Sequence, residues 1–318
     1  MSTRPSSSDV SATNSGVRLT SEAISDEDLL RGFTLALGAS GRVEKTLRTY
    51  GDSVKMLSAF ARSLGLPGLA EMDRVVVRHW LMSLHQKGHK PGGIHVRYRS
   101  VNRFFKWCVS EGERVDNPCD HIDPPKIPEE IQPHYSPEEI QKVLKAIGRR
   151  TIHNLRDQAF VVTLYDTGCR GAELAGVRVE DIDWRALTIL VTGKAGKQRR
   201  VSIGHTAAAA IERYLRKRRV DSLWLWLASG NQPLKLNGLR MMLERRFKDA
   251  GVPFRGVHAF RRGFAMEYLG AGGSIDDLKE LAGWSSYAMA TRYAKASAGE
   301  RAVKAHKRFS PGDRLTTR

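Results

Sequence analysis

Cysteine is scarce in this chain of 318 residues: Cys108, Cys119 and Cys169 are the only three, and no two of them form a CxxC pair. An odd, widely spaced set offers neither a disulfide framework nor a thiolate zinc site, and it fits a reducing cytoplasm. Long apolar runs are missing as well. No window reaches eighteen apolar residues and the opening MSTRPSSSDVSATNSG has no apolar segment, so neither a membrane span nor a signal peptide is predicted. HExxH is absent, and the helix that would align His85 with His89 is broken by Gly88 and Pro91. No metal or other cofactor is expected. The Walker pattern and the dinucleotide fingerprint are absent too, in spite of the GK at 193–194 and the GAGGS at 270–274. Acid is in short supply: 34 Asp and Glu face 52 Lys and Arg, and the net charge of +18 implies attraction to a polyanion, nucleic acid before membrane.

What remains is a globular composition, 41% hydrophobic, at a length that suggests about two domains. Residues 1–24 are rich in Ser and Thr and poor in large apolar residues, which predicts a disordered leader. From Ser25, a candidate N-cap, the pattern turns helical. Val43, Leu47, Tyr50, Val54, Leu57, Ala61 and Leu64 then mark an amphipathic helix, and Asp73 caps the next. In the last helix of this region Ile94, Tyr98, Val101, Phe105 and Cys108 form a core stripe. Lys87, Lys90, Arg97, Arg99, Arg103 and Lys106 add six positive charges with no acid between them. Five prolines between 117 and 135 force an extended linker. The expected organisation is a leader 1–24, a helical domain 25–116, the linker 117–135, a second domain 136–308 and a basic tail 309–318.

Ser136, Pro137 and Glu139 form a capping box that opens the second domain. A helix over about 155–166 ends at Gly168 and delivers Arg170, with Glu173 one turn on as the acid that can hold it. Leu187, Ile189 and Val191 alternate in one strand and Val201 and Ile203 in another, joined by a tip carrying Lys194, Lys197, Arg199 and Arg200. The run LWLWL at 223–227 fits strand or helix equally well. Asn237 is read as the cap of a helix bearing Arg240, Arg245, Arg246 and Lys248, a candidate groove or backbone contact.

The stretch from His258 to Tyr293 carries the chemistry. His258 and Arg261 share a helix face, Trp284 follows Gly283, and Tyr293 stands nine positions later. An Arg fork matches two phosphate oxygens, His moves protons near neutrality, and Tyr becomes a nucleophile when a base or a cationic pocket activates it. Each residue is ordinary alone. Together they make a candidate active site for phosphate chemistry, and beside it the basic helix face reads as a phosphate contact.

This set resembles the tyrosine recombinase (phage integrase) family, whose C-terminal motif is His-x-x-Arg, then Gly-His or Gly-Trp, then Tyr nine residues on. TGCRGAEL resembles the family's first Arg box, placing that Arg at Arg170 and its acidic companion at Glu173. The family's hairpin Lys falls on Lys194, with Lys197 the residue most easily confused with it. Trp284 stands where most members have His; its indole N–H donates one hydrogen bond but exchanges no proton.

The resemblance covers nearly all of 25–308 and implies a mainly α fold with a small β-sheet: a two-domain, C-shaped DNA clamp with a helical core-binding domain and a catalytic domain. It implies a site-specific recombinase in which Tyr293 forms a 3′-phosphotyrosine. Arg170 and Arg261 would stabilise the phosphoryl oxygens, His258 assist proton transfer, Lys194 protonate the leaving 5′ oxygen and Trp284 position phosphate. Exchange would pass through a Holliday junction without ATP or metal. Lys90, Arg97, Arg99, Arg103, Lys106, Lys197, Arg199, Arg240 and Arg245 are the expected DNA contacts. Expected partners are double-stranded DNA with an inverted-repeat core site, sister subunits in a synaptic homotetramer (monomer or weak oligomer when free) and an accessory DNA-bending protein, with no membrane. The expected location is the cytoplasm, at the nucleoid. A type IB topoisomerase and a catalytically silent DNA-binding regulator are the alternatives.

Overall fold

The computed structural model describes residues 24–128, 132–193 and 196–315. Nearly all of the expected leader and Lys194 at the hairpin tip lie outside them. The chain divides into two compact units, with the boundary between residues 129 and 130.

In the first unit four helices surround one core: α1 (Asp26–Ala39), α2 (Glu44–Ser63), α3 (Arg74–Gln86) and α4 (Pro91–Ser110). Ser25 accepts from the Asp28 amide and Asp73 from the Val76 amide, satisfying donors that helix starts leave open. The α4 stripe of Ile94, Tyr98, Val101, Phe105 and Cys108 is buried with Phe104 against Phe33, Leu57 and Trp80. Phe33 meets Phe104 edge-on at 5.4 Å. Burying that stripe leaves Arg99, Arg103 and Lys106 exposed along α4, with Lys90 exposed at its start. Arg97 is half-buried and donates back to the Gly93 carbonyl at 3.1 Å.

The second unit is built around α6 (Ile152–Thr167), which follows α5 (Pro137–Ile147) and its Ser136–Glu139 capping box. α6 buries residues all round, including Arg156 and Asp157. The Asp157 carboxylate accepts from Arg156 at 2.8 Å and from Arg246 of α9 (Leu236–Asp249) at 2.8 Å. Arg246, read as a groove contact, is instead spent on holding α9 to α6, because a buried carboxylate requires cationic partners. Between α7 (Gly171–Ala175) and α8 (His205–Arg218) in the chain lies a three-stranded antiparallel sheet in the order β1 (Ile182–Asp183), β2 (Thr188–Thr192), β3 (Gln198–Ser202). Val191 lies opposite Arg199 in its register.

Three expectations are corrected here. Leu187 has a φ of 50° and sits in the turn before β2 instead of in the strand. Asn237 caps nothing: α9 begins at Leu236 after Lys235, with no side-chain cap bond. The LWLWL run is neither helix nor strand, forming only the single bridges Arg178–Trp224 and Leu227–Pro233. Its Trp226 is fully buried and donates from its indole to the Leu174 carbonyl at 2.8 Å, so the run braces α7 from below.

The chain closes with α10 (His258–Gly270), α11 (Ile275–Ala282), α12 (Tyr287–Ala296) and α13 (Ala298–Phe309). Ser274 caps α11 at the Asp277 amide. Ala265, Leu269, Leu278, Ala294 and Tyr293 make a separate small core, with Trp284 packed against it. No described helix is long and apolar enough to cross a membrane.

Candidate active site

α6 ends at Gly168 in the left-handed region, φ 58°. A β-carbon there would run into the Phe264 ring of α10, so glycine is required both for the conformation and for the close approach. The turn it makes sets Arg170 as the residue before α7. Glu173, 3% exposed, reaches back: Oε2 accepts from the Arg170 amide at 3.0 Å and Oε1 from the Arg170 guanidinium at 2.6 Å. Arg199 of β3 donates to the same carboxylate from its other side at 2.8 Å. Burial pushes the Glu173 carboxyl up, but the bonds from Arg199 and Arg170 outweigh it and bring the pKa down to about 2. Held this way, the Arg170 side chain is still 45% exposed and open to a ligand.

Because that folded value lies below the ordinary 4.5, Glu173 contributes stability that is present above about pH 4.5 and lost as pH falls towards 2. Its contribution is on the order of 3 kcal/mol. In urea melts, the stability gap between wild type and Glu173→Gln is expected to be widest above pH 5 and to close on acidification. A gap that does not change with pH is the contrary result.

Arg261 lies one turn into α10 and is 5% exposed. Its guanidinium donates to the Gly168 carbonyl at 2.9 Å and the Ala282 carbonyl at 2.5 Å, and stands 5.1 Å from the centre of the Trp284 ring. It therefore ties together the end of α6, the end of α11 and the loop after it. Burial lowers its pKa to about 10, with Arg170 adding to the shift, and the charge survives at neutral pH. Trp284 stacks on Tyr293 with ring centroids 5.6 Å apart and 14° between planes. Tyr293 is 8% exposed; burial raises its phenol pKa while Arg262, Arg261 and Arg292 pull it back. His258, the first residue of α10, is exposed at the edge of the cluster. Partial burial and the charges of Arg261, Arg262 and Arg170 hold its imidazole pKa down, which favours the neutral form.

The structure thus gathers Arg170, Glu173, Arg261, Trp284 and Tyr293, with His258 at the rim. Lys197, Arg240 and Arg245 are exposed, as a DNA contact requires. Arg199 is a correction: it is turned inward, its side chain 18% exposed, and spent on Glu173. The signal was legible, because residues 199 and 201 share one face of a strand and Val201 is in the core.

A sequence model of the phage integrase family matches residues 134–300, just over half of the chain, and one of the phage integrase N-terminal SAM-like domain matches residues 31–112. The chain belongs to the phage integrase family. Members are tyrosine recombinases, and this integrase is an enzyme of site-specific DNA recombination. It is 28% identical over 275 residues to tyrosine recombinase XerC of Oceanobacillus iheyensis, which spans 83% of this chain and 90% of that relative. Its fold matches that of the XerH site-specific recombinase bound to a palindromic difH substrate in a post-cleavage complex. That match has a TM-score of 0.70 at 19% identity, over 89% of this integrase and 84% of that chain. A lambda integrase tetramer bound to a Holliday junction matches at a TM-score of 0.68 and 19% identity, over 86% and 78% of the two chains.

Proposed function

We propose that this integrase cleaves one strand of duplex DNA at a core site with Tyr293 as nucleophile. The Tyr293 oxygen attacks the scissile phosphorus, a 3′-phosphotyrosine forms, and the bond to the 5′ oxygen breaks. The observation that carries the reading is the continuous contact from the Gly168 carbonyl through Arg261 to Trp284 and on to Tyr293, all within one chain. A phenol next to a fixed guanidinium supports Tyr293 as the attacking group.

Arg170 and Arg261 face charge building on the non-bridging oxygens, the preorganised electrostatics that carry most such reactions. Tyr293 is too weak an acid to attack unaided, so His258 takes its proton. Lys194 protonates the departing 5′ oxygen, a role carried by the family resemblance of its position. Trp284 donates to phosphate or packs the site, without proton transfer. The phosphotyrosine conserves the energy of the broken bond, and the 5′-hydroxyl of a partner strand reverses the step. Two such rounds pass through a Holliday junction. The exposed cations Lys90, Arg99, Arg103, Lys106, Lys197, Arg240 and Arg245 bind backbone phosphate. The working assembly is a tetramer on two inverted-repeat sites in the cytoplasm, helped where needed by a DNA-bending protein.

The test is covalent capture: incubation with fragmented genomic DNA, a detergent quench, and sequencing of whatever stays attached to protein. Attachment at one short inverted repeat is the expected result. Attachment at every sequence favours topoisomerase-like relaxation, and no attachment at all overturns the reading.

A further inference from the structure

We infer that Arg199 is a positioning residue for strand cleavage, holding Glu173 in the orientation that aims Arg170 and locking β3 against the segment that carries Trp284. The inference rests on the reading of the site given above and names a residue that reading leaves without a role.

Three contacts carry it. The Glu173 carboxylate is shared between the Arg170 amide, the Arg170 guanidinium and Arg199, so its orientation is also that of Arg170. The Arg199 side chain lies across Gly283: a β-carbon there would sit 2.9 Å from its Cδ and Nε. Gly283 is in the left-handed region, φ 63°, directly before Trp284. A β-carbon on Gly193 would meet Glu173 Oε1 at 3.2 Å, so the base of the hairpin lies close to the same carboxylate and a side chain there would crowd it. The Nε–H of Arg199 is buried with no acceptor among the described residues, which leaves Glu173 to orient its guanidinium. One side chain therefore spans the first Arg box and the C-terminal motif, which lie far apart in sequence.

The consequence falls on the protonation of Glu173. The groups that face Glu173 are Arg170 on α7, Arg199 on β3, His258 and Arg261 on α10, and the Cys169 thiol. Without Arg199, burial is less opposed and the carboxyl takes a proton at higher pH, releasing Arg170.

The experiment is single-turnover cleavage of the duplex recovered by covalent capture, nicked so that the cut strand cannot rejoin. It uses wild type, Arg199→Gln and Arg199→Lys, each with a DNA titration and a thermal melt. Arg199→Gln is expected to cleave about 30-fold more slowly, with DNA affinity within about threefold of wild type. Arg199→Lys keeps a charge at Glu173 and recovers most of the rate, but loses the planar fork and stays about fivefold slower than wild type. Cleavage by both variants at the wild-type rate overturns the inference. So does a loss of cleavage matched by a loss of affinity, which returns Arg199 to DNA contact. If Arg199→Gln melts below the assay temperature, the rate and affinity of Arg199→Lys decide. Failure of wild type to cleave overturns the proposed function itself, and the wild-type lane alone identifies that outcome.

Discussion

Tyr293→Phe is expected to abolish covalent attachment to DNA while leaving fold and DNA affinity in place. The ring is buried and stacked on Trp284, and both features survive removal of one oxygen. That oxygen is the proposed nucleophile, so the loss of cleavage should exceed about 10⁴-fold. A denaturing gel of the protein–DNA adduct on a nicked duplex reads it directly. Adduct formation by the variant would move the nucleophile elsewhere. Tyr287, on the same helix, is the nearest candidate by sequence. It is exposed, and its hydroxyl donates to Asp276 at 2.8 Å, a bond to a carboxylate that raises its phenol pKa.

Arg261→Lys should lower cleavage by about 10³-fold although the charge is conserved. A planar fork reaches the Gly168 and Ala282 carbonyls at once while lying against Trp284. An ammonium is a point donor and cannot span both. The variant therefore also leaves a buried carbonyl poorly satisfied, at a cost of about 1–3 kcal/mol, seen as a lower melting temperature. Cleavage rate and thermal melt on one preparation separate the two effects. A rate within about tenfold of wild type would mean that charge alone suffices at this position.

The parts of this molecule that are local in sequence are legible in the sequence itself. Ser25, Asp73, Ser136 and Ser274 cap the helices they precede, because a cap is a bond between a side chain and an amide three residues on. The α4 stripe was readable because helical period and burial agree there. α6, expected over about 155–166, spans Ile152–Thr167: it is buried all round with Arg156 and Asp157 inside, so it shows no amphipathic pattern to mark its start. Trp226 lay in a run with no period, since its packing under α7 depends on residues fifty positions away.

The candidate site divides the same way. The sequence alone determined which side chains were available: His258 one turn before Arg261, Tyr293 nine positions after Trp284, and Glu173 one turn after Arg170. Those spacings are chain-local, and so is the chemistry each residue type allows. Strand alternation puts Arg199 on the face of core Val201 and Arg200 on the other, but only the tertiary structure decided which carboxylate an inward cation meets. Arg200 stays exposed, while Arg199 and Arg246 turn to Glu173 and Asp157. The reason is electrostatic: a carboxylate taken out of water must find its counter-charge in space, and the cation that supplies it is set by folding, not by distance along the chain.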